Sequence, residues 1–258
     1  MPLWSNQLRK PGKATVSQPA NGKERVIYFS TCISRMMGGN IGDHFLSVCE
    51  KAGFNVIVPE NIKGTCCGQV FSSKGFGKAF QLTANRTIEN LWQCSEDGRI
   101  IIVTDVTSCT QTIRTYRPYL TDENKTRYDK MIIVDLVDFA AEKLLPHLKI
   151  TKPKESVVFH PVCSVHKMGL MTNLQAIGKA CATRADIPFY SKCCGMAGDR
   201  GFYFPELTAS ATKTESAEVR QSPYNGYYST STTCEIALSE AVGKNYESIL
   251  KLLNEVSE

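Results

Sequence analysis

The chain has 258 residues, 42% hydrophobic and 21% charged, proportions of an ordinary folded protein that exclude extensive disorder. A net charge of +5 spread along the sequence excludes the dense basic stripe of a nucleic-acid binder. No apolar run approaches the roughly 18 residues a membrane helix needs, so any membrane attachment is expected only through a partner.

In chain order, residues 1–23 are basic (Arg9, Lys10, Lys13, Lys23, with Arg25 just beyond) among prolines and small polar residues, and read as a flexible lead-in. Residues 24–150 then alternate strand and helix. The pattern predicts strand 26–30, a helix near 40–52, strand 54–58, helix 76–94, strand 100–104, a further helix, strand 131–134 and helix 136–147. The stretch Thr151-Lys-Pro-Lys reads as a linker. Beyond it, residues 154–256 predict strand 156–160, helix 170–184, a short strand 187–190, helix 205–220, strand 226–229 and a helix 234–254 bent near Gly243. Strand and helix alternating at this spacing build right-handed βαβ units and parallel sheets. The expected fold is α/β, with two tandem small parallel-sheet domains related by a pseudo-twofold axis.

The eleven cysteines make the duplication explicit. Cys32 and Cys163 each follow a strand-like run, with Gly38 and Gly169 six residues later. Cys66-Cys67-Gly68 is answered by Cys193-Cys194-Gly195, and Cys109 and Cys234 each end a Ser/Thr-rich approach. The offsets between halves are 131, 127 and 125 residues. Cys49 and Cys181 correspond as well; with Cys94 they read as small hydrophobes packed in the core.

Every motif cysteine comes at or just after the end of a predicted strand. In an open parallel sheet, the carboxyl ends of the strands border the crevice where ligands bind. Cys32, Cys66, Cys67 and Cys109 can therefore meet at one point, and Cys163, Cys193, Cys194 and Cys234 at another. An odd number of cysteines, with no apolar leader in residues 1–20, points to a reducing cytoplasmic setting and to metal rather than disulfides. Four thiolates suit an iron–sulfur cluster or zinc. Zinc in one site stays open, although adjacent cysteines depart from the usual two- to four-residue spacers. Thiol–disulfide chemistry at a vicinal pair ranks below both, because such a ring is strained.

These motifs resemble the Cys-Cys-Gly cysteine-rich domain family, which includes the B subunit of heterodisulfide reductase and the iron–sulfur subunits of glycolate, lactate and glycerol-3-phosphate oxidising enzymes. The segments His160-Pro-Val-Cys163-Ser-Val-His166, Cys193-Cys-Gly-Met-Ala-Gly-Asp-Arg-Gly201 and Phe204-Pro-Glu-Leu-Thr-Ala are most similar to the C-terminal iron–sulfur part of flavin-dependent D-lactate dehydrogenases. Where the heterodisulfide reductase type ends each motif in Cys-x-x-Cys, this chain has Val106 and Ser231, leaving four thiolates per half.

The resemblance implies an oxidoreductase component: one or two clusters of the 4Fe-4S type, passing electrons from a flavin toward a quinone or cytochrome during oxidation of a D-2-hydroxy acid. No glycine-rich dinucleotide fingerprint occurs, so the FAD is expected on a partner region or subunit. A zinc-stabilised module that docks a flavoprotein without electron transfer is the alternative. The second set, Cys163, Cys193, Cys194 and Cys234, is expected to be the redox site; the first is expected to hold a second cluster or a structural metal. His160, Asp199 and Arg200 are the catalytic candidates. Asp199 and Arg200 read as an ion pair or as a pair facing a substrate carboxylate or quinone. His160 and His166 flank Cys163 and read as tuning a cluster or as ordinary strand-end histidines. Arg35 and Lys74 are basic neighbours that would offset thiolate charge.

Overall fold

A computed structural model of the chain describes residue 11, residues 24–60 and residues 64–258. All of the expected lead-in except Pro11 lies outside the described residues. The first sheet has order β2-β1-β3-β4 and the second β6-β5-β7-β8. All pairings within both are parallel.

In the first half the strands are β1 (Glu24–Phe29), β2 (Phe54–Ile57), β3 (Ile101–Thr104) and β4 (Ile133–Asp135). The helices are α1 (Cys32–Met37), α2 (Ile41–Lys51), α3 (Gln69–Ser73), α4 (Gly77–Cys94), α5 (Thr107–Arg114), α6 (Asp122–Lys130) and α7 (Leu136–Phe139). The second half has β5 (Lys154–His160), β6 (Ala182–Asp186), β7 (Gly226–Ser229) and β8 (Tyr246–Ser248). Its helices are α8 (Cys163–Met168), α9 (Met171–Cys181), α10 (Pro205–Val219), α11 (Thr232–Val242) and α12 (Ile249–Val256). β1 and β5 are covered on both faces. Each reads as an unbroken buried run, Val26-Ile-Tyr-Phe29 and Ser156-Val-Val-Phe-His160, as central parallel strands do.

Three expectations are corrected. The strand expected at 187–190 lies instead at 182–186, and α9 stops at Cys181. β6 is an edge strand of polar residues that pairs with β5 in the register Ser156↔Arg184. The apolar run after it misleads because Pro188 has no N–H to give a ladder. The N–H groups of Phe189 and Tyr190 donate instead to the Glu218 carboxylate at 2.8 and 3.0 Å. The single helix 234–254 is two. Gly243 at φ +74° ends α11, and β8 intervenes, with Tyr246 beside Tyr227. Finally, the helix expected over 136–147 is regular only to Phe139, continuing as a π-helical turn over 140–144 and a 3₁₀ turn at 145–147.

The halves pack reciprocally. α1 meets α11 as α8 meets α5, and α2 meets α12 as α9 meets the turn after α7. These are the pairings a twofold axis between equivalent elements requires. One apolar core runs through both halves, from Tyr28, Phe45 and Phe139 to Phe159, Leu174 and Leu252. A second fills the outer face of the first half around Phe29, Phe80, Ile88 and Tyr116. Residues 151 and 152 are tied to the C-terminus by N–H bonds to the Val256 carbonyl at 2.9 and 3.2 Å.

Candidate metal centres

In each sheet the two middle strands are where the strand order reverses. Cys32 begins α1 just beyond β1, and Cys109 lies in α5 beyond β3. Cys66 and Cys67 follow β2 and meet them there. The Sγ atoms of Cys32 and Cys66 are 3.5 Å apart, and those of Cys67 and Cys109 3.1 Å. In the second half Cys163 begins α8 beyond β5, and Cys234 lies in α11 beyond β7. The Sγ atoms of Cys194 and Cys234 are 2.7 Å apart, and the Cys163 thiol hydrogen-bonds Cys193, both cysteines being free.

Both Cys-Cys-Gly turns are built alike. Gly68 (φ +76°) and Gly195 (φ +79°) are left-handed, where a side chain is strained. Their N–H groups point back at Cys66 Sγ (3.3 Å) and Cys193 Sγ (3.5 Å). At Gly195 a Cβ would also lie 2.6 Å from the Leu207 carbonyl oxygen. In the first half Tyr116 Oη donates to the Cys67 carbonyl at 2.7 Å, and Arg35 to the Thr65 carbonyl at 2.7 Å. Asp105, buried after β3, accepts from Tyr28 Oη at 2.6 Å and the Thr31 N–H at 3.1 Å. It thereby fixes the start of the helix that carries Cys32.

The electrostatics divide the thiols. Bonds from Cys32 and Cys67, with the Gly68 N–H and the Arg35 charge, bring Cys66 down to about 3 against the cost of burial. Cys193 falls to about 5 through the Cys163 bond, the Gly195 N–H, and the His160 and Lys167 charges. The Cys234 bond lowers Cys194, while Cys32, Cys67, Cys163 and Cys234 are raised as the protonated partners. These bonds and charges favour thiolate at Cys66, Cys193 and Cys194, and thiolate is the form that ligates.

The surroundings differ. All four cysteines of the first set line one cavity of about 230 Å³ whose far wall is Gly198, Asp199, Ser231 and Thr233 of the second half. In the second set Cys194 and Cys234 are buried, and Cys163 and Cys193 are exposed. Asp199 does not pair with Arg200, as the sequence suggested. Its Oδ2 accepts from Lys74 Nζ at 2.7 Å, joining the two Cys-Cys-Gly loops, and Arg200 is exposed. His166 is exposed too.

His160 is wholly buried at the end of β5, with Nδ1 2.7 Å from the Glu215 carboxylate. Burial lowers its pKa, but the Glu215 bond and the charges of Glu215, Cys194 and Cys193 outweigh it and raise the group. Glu215 was missed in the sequence. The available signal was an acid on the inward stripe Thr212, Glu215, Ser216, Val219 of α10, where a lone carboxylate needs a partner. Cys49 and Cys181 are buried as expected, and Cys94 is half-buried, its thiol donating to the Leu91 carbonyl.

With this geometry the sequence comparison decides the family: the model of the cysteine-rich domain, CCG, matches residues 26–114 and 157–239. The chain belongs to that family. It is similar to the protein YkgE of Escherichia coli (strain K12), at 27% identity over 76% of this chain and 82% of that one. It is also similar to lactate utilization protein A of Oceanobacillus iheyensis, at 21% identity over 76% and 81%. With the C subunit of the anaerobic glycerol-3-phosphate dehydrogenase of Escherichia coli it shares 24% identity over 78% of this chain, and spans 51% of that protein.

Do these residues fit an iron–sulfur group? For the first set the answer rests on the cavity: four sulfurs on one wall, one of them, Cys66, beside a donor and a charge that favour thiolate, and space between the halves. The donor set is all sulfur, the usual holder of a cluster. In the second half the ring of His160 adds a nitrogen. No helix among the described residues is long and apolar enough to cross a membrane.

Proposed function

We propose that the chain is an electron-transfer component of a dehydrogenase, with an iron–sulfur cluster held by Cys32, Cys66, Cys67 and Cys109 and a second metal centre at Cys163, Cys193, Cys194 and Cys234. The cavity at the seam of the two halves, with all four cysteines of the first set on its wall, carries this reading. It moves the redox emphasis from the second set to the first. The relatives named for lactate utilization and as a glycerol-3-phosphate dehydrogenase subunit support a place beside an oxidoreductase. An iron–sulfur cluster, when bound, supplies one-electron transfer.

The chain's own residues do the rest. Gly68 and Gly195 N–H groups and Arg35 stabilise sulfur charge, Asp105 fixes the helix of Cys32, and the Lys74–Asp199 bridge holds the Cys-Cys-Gly loops together. Asp199 and Arg200 face different surroundings, so neither is given a proton-transfer role. The finer reading is that electrons arrive from a flavin on a partner region or subunit, leave toward a quinone or cytochrome, and originate in D-lactate or a similar D-2-hydroxy acid. That partner would hold the chain in the cytoplasm or at the inner face of the cell membrane.

The test is anaerobic redox cycling. Protein purified without oxygen is expected to be brown, to bleach with dithionite and to recover its colour with a quinone analogue. The chain by itself is expected to show no dye-linked oxidation of D-lactate. Colourless protein that does not respond to dithionite, or D-lactate turnover by the flavin-free chain, would overturn the proposal.

A further inference from the structure

We propose that His160 is a metal ligand of the second cysteine set, so that this centre binds its metal through nitrogen as well as sulfur and differs in kind from the first. The inference rests on the proposed function only in taking the cysteine sets as metal sites.

Three observations converge on the ring. A His160 nitrogen and the Sγ atoms of Cys194 and Cys234 all lie within 4.8 Å of one another, and all three residues are buried. Nδ1 is engaged by Glu215 at 2.7 Å, whereas Nε2 is buried with no hydrogen-bond partner. A buried ring nitrogen left without a partner carries the full cost of its lost hydration, and a metal bond would remove that cost. A carboxylate on one ring nitrogen with a metal on the other is the usual way a protein orients a histidine ligand and sets its tautomer. Metal entry would displace any proton on Nε2 to solvent, leaving the other proton on Nδ1 toward Glu215.

The duplication supplies an internal comparison. By the 131- and 127-residue offsets, the first half has Phe29 and Ile88 where the second has His160 and Glu215. Phe29 and Ile88 are both buried in the apolar core beneath the first cysteine set. The fold therefore closes this position with two hydrocarbon side chains in one half. A polar pair is no structural requirement of the architecture, and replacing a buried ion pair by apolar residues is often neutral for stability. Mixed nitrogen and thiolate donors suit zinc, or iron within a cluster.

The experiment uses the full chain, reduced and freed of metal, in a Cys66→Ser/Cys109→Ser background that disables the first set. Cobalt(II) is titrated anaerobically, followed by its visible bands and by histidine nitrogen coupling in pulsed electron paramagnetic resonance. The double variant His160→Phe/Glu215→Ile copies the first half's own packing, and a thermal melt checks that it folds. Its expected result is at least tenfold weaker cobalt binding, with loss of the nitrogen coupling. Glu215→Gln should keep the coupling and weaken binding about 10- to 100-fold, as loss of an orienting carboxylate does. Unchanged affinity and bands in the folded double variant would overturn the inference, as would a parent protein that binds no cobalt at this set. Iron, sulfide and zinc analysis of protein with native metal tells cluster iron from zinc. The redox assay of the first set is separate, so either reading can fail alone.

Discussion

At the residue scale, two glycines separate conformational strain from crowding. Gly169 and Gly195 are both left-handed, at φ +74° and +79°. An added Cβ at Gly169 meets nothing within 4 Å, whereas at Gly195 it lands 2.6 Å from backbone oxygen. Gly169→Ala is expected to cost about 1 kcal/mol, the left-handed penalty alone. Gly195→Ala should cost about 3 kcal/mol, since overpacking adds to strain. Urea unfolding of the two variants measures the difference, and equal costs would mean that the Cys-Cys-Gly turn yields to a side chain. The eight motif cysteines and both glycines were legible from spacing alone, because tight turns and ligand sets leave periodic marks. Glu215 and the Lys74–Asp199 bridge were not. Their partners lie 55 and 125 residues away, and local sequence carries no record of such distances. The bridge is part-exposed and is worth about 0–1 kcal/mol; its significance is in which loops it joins.

At the scale of elements, the continuous apolar strands β1, β3, β5 and β7 and the long helix α4 could be read directly, since burial on both faces or a 3.6-residue stripe identifies them. The edge strands of the first sheet, β2 and β4, were read as well, but those of the second could not be. β6 is polar, with Thr183 and Arg184 exposed, and β8 is three residues long, so both take their conformation from pairing rather than from composition. The short helices α1 and α8 were missed for a similar reason, having six residues each. The start of α7 carries a measurable signature. Asp135 is buried and accepts from the Val137 N–H at 2.9 Å and the Thr110 hydroxyl at 2.5 Å. Burial raises its pKa to about 6, opposed by those bonds and reinforced by Asp138. A raised carboxyl binds its proton more tightly in the folded state. Its contribution is therefore complete below about pH 4 and is lost as pH rises through about 6. Asp135→Asn keeps a capping side chain without the titration. It should flatten this limb of the stability–pH curve by on the order of 3 kcal/mol. A parallel downward shift at pH 4 and pH 7 would show that Asp135 acts only as a cap.

At the scale of the whole molecule, the duplication was legible and the shared core was not. Cysteine spacing reports equivalence between halves, but only packing shows that Tyr28 and Leu252 belong to one apolar cluster. Two consequences follow from that core. A cavity-forming change in the last helix should be felt throughout: Leu253→Ala, at a wholly buried side chain, is expected to cost about 2–5 kcal/mol. It should lower a single unfolding transition seen alike by tryptophan fluorescence and circular dichroism. A separate transition for each half would mean that the seam transmits little. The second consequence is that the first cysteine set opens onto a wall supplied by the other half, which places the proposed cluster between the two halves. The most direct test is metal and sulfide analysis of anaerobically purified protein, comparing the parent with Cys66→Ser/Cys109→Ser. The account predicts iron with matching acid-labile sulfide in the parent, and loss of at least half of both in the variant while it remains folded. A parent with stoichiometric zinc and no sulfide, or a variant that keeps all its iron and sulfide, would contradict it.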